Sequence, residues 1–394
     1  MKINRMAALP RWSAMCVIAV LLFLAGGTTA LFWGRAKVQD FIVLLNRVPP
    51  DKGVADSRYV VIGGVRQWLQ IRGQDTENPI LLYVHGGPGD ASSPLSWVTQ
   101  RPWEDYFTVV QWDQRGAGLS GEIDRDKWNG TVTKEQIVSD TIEVIEYLRK
   151  RFNKRKIILL GHSWGTIPAS IVAQERPDLV SLLVNMGVVV GWHANYERRH
   201  AEVLAEARQR NDKAVISAIE SHSTIPDPHD LEQYQAWMGA SRKAMCDWGH
   251  CFYLFDRKDI TAAFTTAGFI SPYISTGDLL YAFGQPLTGW LAPRPTPTPK
   301  ELFVSIDQVD LRRDLSLHFE MPVLYVMGAH DLQTPTSLAR EYVATVTAPQ
   351  KTFVVFDRAS HALITEVPGK LLVTLVDAAT RAGAFDVDKP ASAP

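Results

Sequence analysis

Ser163 stands in Gly161-His162-Ser163-Trp164-Gly165, a G-x-S-x-G run. The apolar Ile157 to Leu160 precedes it and a helical stretch from Trp164 to Gln174 follows. Strand, sharp turn and helix in that order lift a serine hydroxyl to the top edge of a sheet. A hydroxyl is a weak nucleophile until a base takes its proton, and the base needs a carboxylate to fix its tautomer and steady its positive charge. Such a site runs serine, acid, histidine along the chain. The acid expected is Asp331, in Gly328-Ala329-His330-Asp331 after the apolar Val323 to Met327. The base expected is His361, in Asp357-Arg358-Ala359-Ser360-His361 after Thr352 to Phe356. Asp357 is the second choice for the acid and His330 the competitor for the base, but one sits at a strand end and the other beside the acid.

An acyl-transfer site also needs N–H groups for the oxyanion. Typically one comes from the residue after the serine and one from an early loop. His85-Gly86-Gly87-Pro88-Gly89 follows the apolar Ile80 to Val84 and can turn its N–H groups inward. The expected donors are Gly87 and Trp164, with Gly86 as the alternative beside the substrate. His85 reads as structural. Asp113-Gln114-Arg115-Gly116-Ala117-Gly118-Leu119-Ser120 follows a further apolar run, Phe107 to Trp112, and reads as scaffold.

These residues require elements that carry them to one rim. Strand-like runs alternate with helical ones from the hairpin at Arg58 to Arg72 through the strand Leu179 to Met186, and again from Pro322 to Ala382. That alternation predicts a mostly parallel sheet with helices on both faces, whose ligands sit beyond the carboxyl ends of the strands. The expected fold is the α/β-hydrolase fold. Between its halves, residues 191–315 are helical, charged and rich in aromatics, Tyr234 and Trp237 among them, and are expected to form a lid over an apolar pocket. The core halves are placed at 39–190 and 316–386, and a disordered tail at 387–394.

The chain has 394 residues, with 41 Lys+Arg against 42 Asp+Glu. This balance gives no concentrated basic face for nucleic acid. Residues 1–38 read differently. Lys2, Arg5 and Arg11 precede an uncharged run from Trp12 to Trp33, long enough for the roughly 20 residues of a membrane-spanning helix. An uncleaved anchor is expected over a cleaved secretory signal, with Trp12 and Trp33 at the interfaces and the catalytic domain on the periplasmic or extracytoplasmic side. Residues 39–57, broken by Pro49-Pro50, read as a polar connector. Of the three cysteines, Cys246 and Cys251 are spaced for a disulfide in an exported domain rather than for a metal. Neither a metal nor a cofactor is expected.

Taken together, His85-Gly86-Gly87-Pro88-Gly89, the Asp113 to Ser120 run and Gly161-His162-Ser163-Trp164-Gly165 resemble the proline iminopeptidase family of α/β-hydrolases, over roughly residues 58–190 and 320–370. The resemblance implies a metal-free serine aminopeptidase that removes an N-terminal residue, often proline, from small peptides. It implies Ser163, Asp331 and His361 as the triad. It also implies lid glutamates that hold the substrate ammonium, for which Glu197, Glu202, Glu206, Glu220 and Glu232 are candidates, with Glu197 and Glu232 put first and Trp237 added as a pocket wall. The family usually has Gly where His162 stands, and its members are commonly cytoplasmic. A carboxylesterase using the same triad is the alternative, and a membrane-anchored binding protein on a hydrolase scaffold the third reading. Ser163 excludes the aspartate nucleophile of dehalogenases and epoxide hydrolases.

Overall fold

The computed structural model describes residues 11–121, 123–275 and 300–386, with the side chains of residues 11–25 and 257 outside that description. The expected tail at 387–394 and the lid residues 276–299, with Tyr281, Phe283 and Trp290, lie outside the described residues.

Eight strands form one sheet in the order β1-β2-β4-β3-β5-β6-β7-β8. They are β1 (Val54–Ile62), β2 (Val65–Gly73), β3 (Ile80–Val84), β4 (Thr108–Asp113), β5 (Ile157–His162), β6 (Val180–Met186), β7 (Val323–Gly328) and β8 (Lys351–Phe356). β1 and β2 are an antiparallel hairpin and β2 is antiparallel to β4, whereas every neighbouring pair from β4 through β3 to β8 is parallel. The central strands are apolar because both faces are covered. In β3, Leu82 and Val84 join one core cluster while Leu81 and Tyr83 join the other. Helices Lys134–Phe152 and Thr166–Glu175 cover the first face and Pro368–Arg381 the second. The N-cap Thr133 accepts from Gln136 N, and Asn153 closes the long helix in the left-handed conformation.

Between β6 and β7 lie the helices Trp192–Arg210, Lys213–Glu220, Leu231–Gly239, Arg242–Asp247, Arg257–Ile270, Lys300–Ile306 and Leu311–Asp314. We call this inserted block the cap. Cys246 and Cys251 are joined in a disulfide within it, so their sulfurs are not metal ligands.

The first helix corrects the expected connector. It runs from Arg11 to Leu45, past position 38, and the chain turns extended only at Val54. Tertiary contacts extend it: Arg35 Nε donates to Phe269 O at 2.7 Å and Gln39 Nε2 to Ser271 O at 2.6 Å, fixing the helix to the cap. Among the described residues, no helix is long and apolar enough to cross a membrane. The spanning reading of Trp12 to Trp33 therefore finds no support there, and much of that run has its side chains outside the description.

Candidate active site

Ser163 follows β5 directly and has φ +54°. A non-glycine residue in that region is costly and is kept where its surroundings over-determine it. The 3-10 turn Ser163–Gly165 and the helix from Thr166 hold it from one side, with Thr166 Oγ1 donating to Ser163 O at 2.6 Å. The strand β3 holds it from the other. A Cβ on Gly165 would lie 2.0 Å from Val84 O, so the turn seats against β3 only with glycine there. A Cβ on Gly86 would meet Ser163 Cβ at 2.9 Å, which places the early glycine loop directly against the serine. The Gly87–Pro88 bond is cis. Trp164 lies in the first turn of its helix, where backbone N–H groups have no intrahelical acceptor.

Asp331 follows β7 and His361 follows β8, at the same carboxyl-end rim as Ser163. Asp331 is buried, and its Oδ2 meets His361 Nδ1 at 2.8 Å. Its carboxylate also accepts from Thr334 N at 2.9 Å and from Thr334 Oγ1 at 2.8 Å, so its orientation is fixed before the histidine is considered. With Nδ1 engaged, Nε2 is the nitrogen left for chemistry at the serine. No hydrogen bond joins Ser163 Oγ to the His361 ring in this arrangement. Such bonds are often long until substrate is bound.

His162, noted in the sequence only as a departure from the resembling family, lies against His361. Its ring stacks on that of His361, centroids 5.1 Å apart at 30°. Tyr83 Oη lies 3.0 Å from His162 Nδ1, and His162 Nε2 lies 3.4 Å from His361 O. Tyr83 therefore donates to Nδ1, and the Nε2–H of a neutral His162 faces the His361 carbonyl. Burial, and then the charge of His361, push the His162 pKa down to about 3, which keeps the ring neutral.

The glycine loop and the Asp113 to Ser120 run are tied together. Gln114 N donates to His85 Nε2 at 3.2 Å and Gln114 Nε2 to His85 O at 3.0 Å, while His85 Nδ1 lies 2.9 Å from Gly86 O. Burial pushes the His85 pKa down to about 4. Arg115 forms a buried two-pronged pair with Asp140, both contacts 2.8 Å, and reaches Gly63 O at 2.9 Å. Asp113 accepts from Leu119 N at 2.8 Å, and burial raises its carboxyl to about 6. These contacts hold backbone in place rather than face the serine.

The candidate lid residues differ in burial. Glu197 and Glu232 are exposed. Trp237 is buried, and its ring neighbours are His193, Tyr196, His200 and Tyr234, all within the cap, so it packs the cap rather than meeting Ser163. Thr334, His162 and Gly187, where a Cβ would lie 3.0 Å from His361 Cε1, were missed as site residues. Asp90 was missed too. Its carboxyl reaches solvent but is closely surrounded: burial raises its pKa, and Arg242 and His361 pull the other way. The sequence signal for Asp90 was its place immediately after Gly89.

The chain is similar to several known proteins. A family described as alpha/beta hydrolase fold matches residues 79–217. The chain is 28% identical over 346 residues to the "Probable aminopeptidase YbaC" of Bacillus subtilis (strain 168), covering 83% of this chain and 97% of that protein. It is 25% identical to the proline iminopeptidase of Lactobacillus helveticus, covering 55% of this chain and 71% of the relative. In structure it resembles a proline iminopeptidase-related protein from Thermus thermophilus, with a TM-score of 0.55 at 19% identity over 84% of this chain and 99% of the other.

Proposed function

We propose that this chain, which belongs to the proline iminopeptidase-like α/β-hydrolases, is a serine hydrolase releasing N-terminal residues, proline preferred, from small peptides. The observation that carries the reading is the Asp331–His361 contact of 2.8 Å on the rim where Ser163 is held at φ +54°. In the proposed reaction His361 Nε2 takes the Ser163 proton as Oγ attacks the carbonyl carbon. The N–H groups of Gly87 and Trp164 receive the oxyanion. His361 returns the proton to the leaving amine, and water then cleaves the acyl-enzyme. The relatives named as aminopeptidases favour a peptide with a free amine.

One observation favours an ester substrate instead. Glu197 and Glu232, the two lid carboxylates put first for the ammonium, face solvent, so neither offers it a buried partner. A buried partner for that charge is what would make a blocked amine a poor substrate. Hydrolysis of proline anilide, its N-blocked form and a short-chain ester by the same preparation separates the two. The anilide with a free amine should be preferred; preference for the blocked form or the ester overturns the aminopeptidase.

The proposal includes a membrane tether through the N-terminal helix, with the hydrolase outside the cytoplasm. Its support is the positive head before an apolar run and the exposed Leu31, Trp33, Phe41, Leu44 and Leu45 on the same helix.

A further inference from the structure

The cap segment after the disulfide is fastened to both loops that carry the proposed acid and base. Glu366 lies five residues beyond His361 and is 6% exposed. Its Oε1 accepts from Tyr253 N and, at 3.0 Å, from Leu254 N, both in the cap. Its Oε2 accepts from Ser360 N at 2.7 Å and Ser360 Oγ at 3.1 Å, on the residue immediately before His361. One buried carboxylate therefore bridges the cap and the loop of the base. Four donors converge on it, and none of them is a cation. A buried charge held by N–H and O–H groups alone is a costly way to gain stability, so its value lies in the geometry it fixes.

A second strut runs to the acid. The Tyr253 ring lies flat on His330, centroids 4.0 Å apart at 12°. His250 Nδ1 lies 3.2 Å from His330 O, and its Nε2 lies 2.8 Å from Glu206 Oε2 on the cap helix Trp192–Arg210. His330 precedes Asp331, and its own N–H donates to Ala359 O at 3.0 Å, closing the circuit between the two loops. The disulfide Cys246–Cys251 brackets His250 and ends two residues before Tyr253.

We propose that Glu366 is a positioning residue through which the seating of the disulfide-braced cap sets the orientation of the His361 imidazole toward Ser163. The inference rests on the reading of Ser163, Asp331 and His361 as a hydrolytic site.

Glu366→Gln keeps the side chain's volume but turns an amide N–H toward donors it cannot accept from. In the full chain it should lower kcat on a small activated ester on the order of 10- to 100-fold, the scale of an ångström of misplacement, with KM within about twofold. A paired Cys246→Ser and Cys251→Ser variant leaves Glu366 intact and loosens the same strut. It should lower kcat in the same way, and adding Glu366→Gln to it should cost less than in the intact chain, because contacts in one network are not additive. An unchanged kcat in Glu366→Gln, or full additivity of the two changes, overturns the positioning role. If Glu366→Gln does not fold by circular dichroism, the paired serine variant decides alone, and an unchanged kcat there has the same meaning. Labelling of the unaltered chain with a fluorophosphonate keeps the two levels apart: no labelling and no turnover defeats the hydrolase reading itself, whereas labelling with an unaffected Glu366→Gln defeats only this inference.

Discussion

Asp331 is the residue on which the proposed chemistry depends most indirectly and so can be tested most cleanly. Its carboxylate accepts from His361 Nδ1 and twice from Thr334. Asparagine would preserve its volume, but its amide can donate to Nδ1 and so favour the wrong tautomer. Asp331→Asn should reduce kcat on the order of 10⁴-fold while the far-ultraviolet circular dichroism spectrum stays that of the parent. A loss of less than about tenfold would remove Asp331 from its role and reopen Asp357. The positions of Ser163, Asp331 and His361 at strand ends were legible because each follows a recognisable apolar strand. Thr334, His162 and Gly187 were not legible for the opposite reason. Each meets His361 from a different segment, and a contact between distant segments leaves no periodic trace in either. Trp237 shows the converse error: an aromatic in an aromatic-rich cap reads equally as pocket wall or as packing, and here it packs.

Elements were easiest to read where burial is complete. β3 is apolar throughout because neither face meets water, and its bounds follow from composition alone. The elbow after β5 was equally plain, since glycine at position 165 is required by the 2.0 Å approach to Val84 O. The connector expected at 39–57 rested on Pro49-Pro50, yet the first helix continues to Leu45 before the chain breaks. Arg35 reaches the carbonyl of Phe269, and that tertiary contact outweighs the local pattern. The proposed tether belongs to this same element. If the run from Trp12 onward enters lipid, the full chain should float with phospholipid vesicles in a density gradient, and a chain lacking residues 1–25 should remain below. That truncation leaves Arg35 and Gln39 on the cap, so the folded domain is preserved in the comparison. A full chain that stays at the bottom without detergent would end the tether proposal.

The whole molecule buries titratable groups in the sheet, its loops and the cap, and this sets how its stability responds to acid. Burial holds His85 down to about 4 and His162 down to about 3, and burial followed by Arg199 takes His200 down to about 4. For each, the folded value lies below the roughly 6.5 of an unfolded chain. The unfolded state therefore takes the proton first as pH falls, and the stability present above about pH 6.5 drains away toward the folded value. Asp113 works in the other direction. Burial raises it to about 6, so the folded state takes its proton first between about pH 6 and 4, and acidification there stabilises the fold. The carboxylates held low by arginines, such as Asp178 beside Arg176, keep their charge until well below this range. Between pH 7 and 5 the histidines are thus opposed by Asp113 and by Asp90, whose carboxyls burial also raises. At about 1.4 kcal/mol per pKa unit, His85 and His162 outweigh Asp113 by roughly 2 kcal/mol. The urea midpoint should therefore be lower at pH 5 than at pH 7, and His85→Gln should flatten that slope even if it weakens the protein at both values. A midpoint that is level or higher at pH 5 would mean that these imidazoles do not sit neutral beneath the glycine loop and the base, and would remove the electrostatic reason for His162 to stack on His361 as it does.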